Sequence, residues 1–466
     1  MHSDSGVSAS RRTFLKRAAN LSLAGVAAPW ALNLAAMAEA SAAGATDYKA
    51  LVCVFLHGGN DYANTVAPYD ISSHALYQQA RPTFAYSRDS LAATALSSAV
   101  SPTDSAGFAH QYALAPTLAP LVPLFNEGKL GIVLNIGPLV EPTTKQQFKN
   151  NTVKLPPKLL SHADQHALWL CGSQGGAPSG WGGRLADQFL SASGNTPFSC
   201  INLSDNSIFL SGNTAIQFRI TTAGAIPLAG VGSPLFGSAA ASAALRNLIT
   251  EPRVHLLENE YCRVSKRAIE AHEVLAGALT AAPALRTGFP ASNSLGDELR
   301  MVARLIAAAP ALGARRQVFF VGLGGFDTHD GISATHPVLM TRLAEALAAF
   351  HAATVELGVS EQVTTFTASE FGRALTGDAD GSNHGWGSTH FVLGGAVKGG
   401  RYYGTPPLIA NDGPDDIGMG RLLPSTSIEQ HAATLGAWLG VGDSELLALL
   451  PNLSNYNPST RKLGFV

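Results

Sequence analysis

Charge is scarce in this sequence: Asp, Glu, Lys and Arg make up 14% of its 466 residues, against about 25% in an average globular chain. A chain so poor in charge, and 46% hydrophobic, belongs neither to the disordered class nor to long solvated coiled coils. Neither sign dominates, since 31 Lys and Arg face 33 Asp and Glu for a formal net charge of −2. There is thus no polyelectrolyte signal for nucleic acid or an anionic membrane surface. Cysteine is rare too. Cys53, Cys171, Cys200 and Cys262 are widely spaced and form no C-x-x-C pair, which argues against a metal-binding or catalytic thiol. One or two disulfides would be open to them in an oxidising compartment, with three pairings possible. Cys53 and Cys200 lie in apolar runs, where a free thiol acts as a small hydrophobe. Glycine is plentiful at 47 residues, which calls for tight turns and close backbone approaches. The sum is a large, compact, loop-rich globular protein.

The N-terminus reads Ser10-Arg11-Arg12-Thr13-Phe14-Leu15-Lys16, followed by an apolar stretch from Ala18 to Ala38. A cationic start, a modestly hydrophobic middle and a small-residue exit make a secretory signal, here over residues 1–40, with cleavage after Ala38 or Ala40. The paired arginines mark the twin-arginine type, an address read by a translocase rather than an anchor. A single membrane helix is the competing reading, but Gly25 and Pro29 interrupt the run, so no permanent membrane anchor is expected. The expected place is the periplasm or the exterior. Residues 1–40 hold four basic and two acidic side chains, so the mature chain (41–466) moves from −2 to −4.

Beyond residue 41, strand-like and helix-like segments alternate. Lys49–Leu56, Leu130–Ile136, Gln317–Gly322 and Val363–Thr367 are short and almost wholly apolar, as strands covered on both faces of a parallel sheet must be. Helix-length segments cover Ser161–Leu170, Trp181–Leu190, Pro252–Leu279, Leu295–Ala308 and Pro337–Leu357. Thr426 and Glu429 fit a capping box before an apolar helix through Trp438. The alternation predicts α/β architecture with a mostly parallel central sheet. Residues 198–237, rich in Ser, Gly and Thr, read as an inserted cap of hairpins and loops.

In open α/β sheets, ligands collect beyond the carboxyl ends of the strands. There this chain concentrates its acids and imidazoles: His57–Thr65 with Asp61, Gly324–Asp330 with Asp327 and His329, Ala368–Arg373 with Glu370, and Asn383–His390 with His384 and His390. An Asp and a His two residues apart in a turn can reach one ion. Imidazole suits Zn and Mn, whereas carboxylate suits Mg, Mn and Ca. One or two divalent ions are therefore expected, and a pair would assist a phosphoryl-type displacement. One such histidine alone would read as an ordinary loop residue; four loops together carry the expectation. Ser161 sits where a helix N-cap belongs, with free N–H groups to favour an alkoxide or a phosphate oxygen. Thr65 is a second candidate nucleophile near Asp61, and Arg373 either orients an oxyanion or pairs with a carboxylate. No G-x-S-x-G elbow, H-E-x-x-H motif or Rossmann glycine fingerprint is present.

Together, VFLHGGNDYANTVAPY (54–69), SHADQHALW (161–169), GWGGRL (180–185), GGFDTHDG (324–331), ASEFGRAL (368–375), NHGWGSTHFVLGGAVKGGRYYG (383–404) and EQHAATLGAWLG (429–440) resemble a family of twin-arginine-exported bacterial proteins known as domain of unknown function 1501. That family resembles the alkaline phosphatase and sulfatase superfamily. The resemblance implies a three-layer α/β/α sandwich, usually with two metal ions. It implies Asp61 as the metal acid after the first strand, and Ser161 as nucleophile. Asp327 and His329 match the acid–histidine pair, Glu370 a later metal acid and His384 the late histidine. Two departures stand out. The acid and histidine are two apart rather than four, and Ser369-Glu370 replaces an adjacent Asp-His, leaving His390 or His336 to supply an imidazole or one metal to bind alone. The expected function is an exported metal-dependent hydrolase of phosphate or sulfate esters. The departures motivate the rival, a non-catalytic periplasmic binding or assembly protein on a degenerate scaffold; a transferase acting on lipid or polysaccharide shares the same chemistry.

Overall fold

Strand β1 (Lys49–His57) shows why the sheet must be covered twice. Its seven central residues are buried; Ala50, Val52, Val54 and Leu56 enter one core, and Leu51, Cys53 and Phe55 the other. The computed structural model describes residues 48–172, 178–190, 196–204 and 207–466, so the twin-arginine segment and both cleavage positions lie outside the described residues. β2 (Leu130–Gly137), β3 (Cys200–Asn202), β4 (Phe218–Arg219), β5 (Arg316–Gly324), β6 (Val363–Ala368), β7 (Ser388–Gly394), β8 (Tyr402–Tyr403) and β9 (Thr426–Ser427) complete a nine-stranded sheet. Its order is β8-β2-β7-β6-β1-β5-β3-β4, with β9 beside β2. Every pairing is parallel except those of β7, which runs against β2 and β6.

The helices that matter are α1 (Ile71–Ala80), α2 (His162–Cys171), α3 (Trp181–Asp187), α4 (Ala239–Thr250), α5 (Leu256–Ala281), α6 (Ser294–Ala308), α7 (Ile332–Glu356) and α8 (Ile428–Leu439). α5, α6 and α7 bury Leu275, Leu299, Val302, Leu343, Leu347 and Phe350 on one face of the sheet. α2, α3 and α8 bury Trp169, Leu185, Ala432 and Leu435 on the other. The result is the three-layer α/β/α sandwich that the alternation of segments implied. α7 is long and apolar enough to cross a membrane, but here it is a core helix.

Several local expectations move. α7 starts at Ile332 and carries Pro337 inside it, five residues before the expected start. The capping box is Ser427 with Gln430, one residue beyond Thr426 and Glu429. Residues 198–237 do not open as a hairpin cap: β3 and β4 extend the sheet in parallel. All four cysteines are buried free thiols.

Register places the functional end. His57 pairs with Gly324, and Phe55 with Ala368, so the loops leaving β1, β5 and β6 emerge side by side. Because β7 is antiparallel, the segment that precedes it reaches the same end. α2 likewise begins there.

Candidate metal centre

The loop after β5 presents Asp327, and four nitrogens surround one of its oxygens. Asp327 Oδ1 lies 2.7 Å from Arg373 Nη1, 3.0 Å from His329 Nε2, and 3.4 Å from both His162 Nε2 and His384 Nε2. His329 Nε2 is 2.8 Å from His384 Nε2. The aligned ends of β1 and β5 allow this approach, together with Gly58 (φ +120°), where any Cβ would strike the Asp327 backbone.

Hydrogen bonds at the far side of two rings fix their tautomers. His384 Nδ1 donates to the Leu160 carbonyl at 2.7 Å, which can only accept, so its proton sits on Nδ1. Leu160 holds this position with a left-handed backbone, φ 71°, a conformation costly for a leucine. His162 Nδ1 pairs with Glu370 Oε1 at 2.9 Å, again an acceptor. Both imidazoles therefore turn Nε2 toward Asp327. His162 Nε2 is buried and has no hydrogen-bond partner. Burial lowers the His384 pKa, opposed by its bond to Leu160 and reinforced by the charges of His162, Arg373 and His329, which keeps the ring neutral. At Asp327, burial pushes the carboxyl up, but the Arg373 hydrogen bond and charge, with His162 and His329, hold it below the usual carboxylate range.

Two imidazole nitrogens and a carboxylate face one point, with Arg373 on one side of the carboxylate. The ligand atoms of His162, Asp327 and His384 all lie within 4.8 Å of one another. Tetrahedral ligands around zinc stand about 3.4 Å apart, close to the spacings of Asp327 from His162 and His384. Nδ1–H anchored on a carboxylate or a carbonyl is also how metal-bound histidines are oriented. The residues fit a divalent ion, and the nitrogen-rich set suits zinc or its transition-metal neighbours better than Mg or Ca. Asp327 and His329 are exposed, so the centre opens to solvent.

The other predicted residues fall elsewhere. Asp61 is fully buried, and both its oxygens accept from Arg81 Nη1, at 2.9 and 2.7 Å; Arg81 also donates to the Ala374 and Leu375 carbonyls. A buried guanidinium demands its carboxylate, so Asp61 ties the first loop to the 373–378 strand instead of joining the cluster. Glu370 is second to the cluster, not in it: Oε1 takes Gly58 N–H and His162, and Oε2 takes Ser369 Oγ. His390 is buried inside β7, its ring against Trp169, and burial, reinforced by His431, pushes its pKa down to about 3. His336 faces Asn60, with a pKa pushed down to about 4 by burial. Thr65 is buried and donates back to the Asp61 carbonyl at 2.7 Å. Arg373 is the carboxylate partner of Asp327, further held by Gly58 O and by Ser382 Oγ and O. Ser161 caps α2 and donates to Asp164 Oδ2 at 2.7 Å, one residue before His162. His162 is the site residue missed by sequence reasoning. It stood in the same S-H-A-D run, where the N-cap serine drew the chemistry.

The fold and cluster define a class: an α/β/α sandwich with an imidazole-rich, cation-sized centre beyond its strand ends. Within it, the chain belongs to the family described as "Protein of unknown function (DUF1501)", whose model matches residues 48–416. No curated protein matches the chain. Among solved structures it is similar to Ps i-CgsB, determined in complex with k-i-k-neocarrahexaose, at 8% identity over 89% of this chain and 78% of that one, with a TM-score of 0.36. It is also similar to the PsFucS1 sulfatase from Pseudoalteromonas sp., at 11% identity over 93% of this chain and 76% of that one, with a TM-score of 0.33.

Proposed function

We propose that the chain is an exported, metal-dependent hydrolase of phosphate or sulfate esters. The observation that carries this reading is the convergence of His162 Nε2, His384 Nε2 and His329 Nε2 on the Asp327 carboxylate at an open strand end. A bound divalent ion would supply a Lewis acid for an ester oxygen. The chain's own residues do the rest. Arg373 holds Asp327 in place, Glu370 and the Leu160 carbonyl orient the rings, and Ser161 supplies a hydroxyl with Asp164 placed to take its proton. In the step, a Ser161 Oγ–phosphorus or –sulfur bond forms as the ester oxygen bond breaks, Asp164 receives the proton, and the leaving alkoxide takes one from water. Export rests on the Arg11-Arg12 segment, with the periplasm or exterior as destination.

The test is elemental analysis of protein exported and purified without chelators, followed by a panel of phosphate and sulfate esters. Bound metal near one equivalent with turnover on the panel is expected; metal far below one equivalent and no turnover would overturn the reading. The second reading, a binding or assembly protein, is favoured by one observation: Ser161 already has a full structural role as the N-cap of α2. Ser161→Ala combined with Asp327→Asn separates the two. A hydrolase loses turnover and stays folded, whereas a binding protein keeps its partner.

A further inference from the structure

We propose that Arg421 holds the anionic group of the substrate, a tetrahedral oxyanion ester, at the metal centre. This deepens the hydrolase reading and rests on it. Arg421 Nε donates to the main-chain carbonyl of His384 at 3.1 Å, so its guanidinium is fixed to the backbone of a histidine that forms the centre. Its Nη1 and Nη2 make no hydrogen bond, and no carboxylate lies within ion-pair distance of it, among the described residues. The neighbouring cations are all engaged. Arg373 is spent on Asp327, Gly58 and Ser382, Arg81 on Asp61, and Lys158 lies 3.6 Å from Asp164. Glu370 is turned inward to His162 and Gly58.

The backbone that carries this side chain is also held. Arg421 N donates to Gly418 O and its carbonyl accepts from Ile417 N, closing a tight loop. That loop is stapled on both sides, by Leu375 N on Gly420 O at 2.7 Å and by Gly387 N on Leu422 O at 2.9 Å. A half-buried guanidinium with one edge anchored and the other edge unpaired presents a planar fork that matches two oxygens of a phosphate or sulfate group. Pre-fixing it lowers the ordering cost of binding.

Titration calorimetry on the zinc-loaded full chain tests this, with inorganic phosphate, phenyl phosphate and phenyl sulfate as probes. The two esters decide which tetrahedral group is taken. Arg421→Ala is expected to weaken the bound anion about ten- to a hundredfold while zinc affinity stays that of the unaltered chain; Arg421→Lys, which keeps the charge but not the fork, is expected to fall between. If Arg421 merely staples its loop, Arg421→Ala lowers thermal stability and leaves anion affinity unchanged, which overturns the proposal. An unaltered chain that binds zinc but none of the three anions overturns it alone, whereas a chain that takes up no zinc overturns the metal reading beneath it.

Discussion

Glu370 touches the centre only through His162 Nδ1, 2.9 Å from its Oε1.

 Glu370→Gln keeps an oxygen opposite that nitrogen but removes the charge, and metal affinity should fall roughly ten- to a hundredfold with the fold intact, as read by chelator competition and circular dichroism. His162→Ala removes a centre atom outright and Asp327→Asn removes the negative charge among the imidazoles, so each should cost more. Gly58→Ala should cost both stability and metal, since a Cβ there meets the Asp327 backbone and φ +120° disfavours any side chain; thermal melts of the alanine variant with and without zinc check it. Asp327, His329 and His384 were legible because they are polar residues in glycine-rich loops after or before apolar runs. His162 was hidden behind the N-cap serine it follows. Asp61 read as a ligand because its partner Arg81 lies twenty positions away, in a segment with no local signal. His390 read as the end of a loop at the start of a strand; it lies inside β7, where its ring meets Trp169 of the helical layer rather than the centre.

At the scale of the element, α8 carries two titratable groups that oppose each other. Burial pushes the Glu429 carboxyl up to about 8, against hydrogen bonds from Asn452 that lower it. A carboxyl whose folded pKa exceeds its unfolded value near 4.3 binds more protons when folded, so its contribution to stability is present at low pH and is lost as pH rises toward 8. Burial pushes His431 down to about 3. An imidazole buried neutral loses stability as pH falls from its unfolded value near 6.5. Glu429→Gln should therefore flatten the decline between about pH 5 and 8 and add on the order of 1–3 kcal/mol at the alkaline end, measured by urea unfolding across that range; an unchanged slope would show that Glu429 ionises at no cost. The long strands were legible from their unbroken apolar runs. β4, β8 and β9, of two residues each, were not, because so short a pairing is decided by the neighbouring strand and leaves no period in the sequence.

For the whole molecule, an ion held only by the folded state stabilises it by mass action, by about 2.7 kcal/mol at a hundredfold excess over its dissociation constant. Zinc should raise the melting temperature and a chelator reverse the shift, in a scan that Asp327→Asn no longer answers. The layered architecture was legible from the alternation of segments, whereas the reversal of β7 was not, and that reversal is what brings His384 to the strand ends. It also sets a timetable. His162 and His384 are roughly 220 residues apart, so at typical rates of synthesis about 10–45 s separate their appearance from the ribosome. No nascent chain that stops short of His384 can bring the cluster together, so the centre is completed only when about four fifths of the chain has been made.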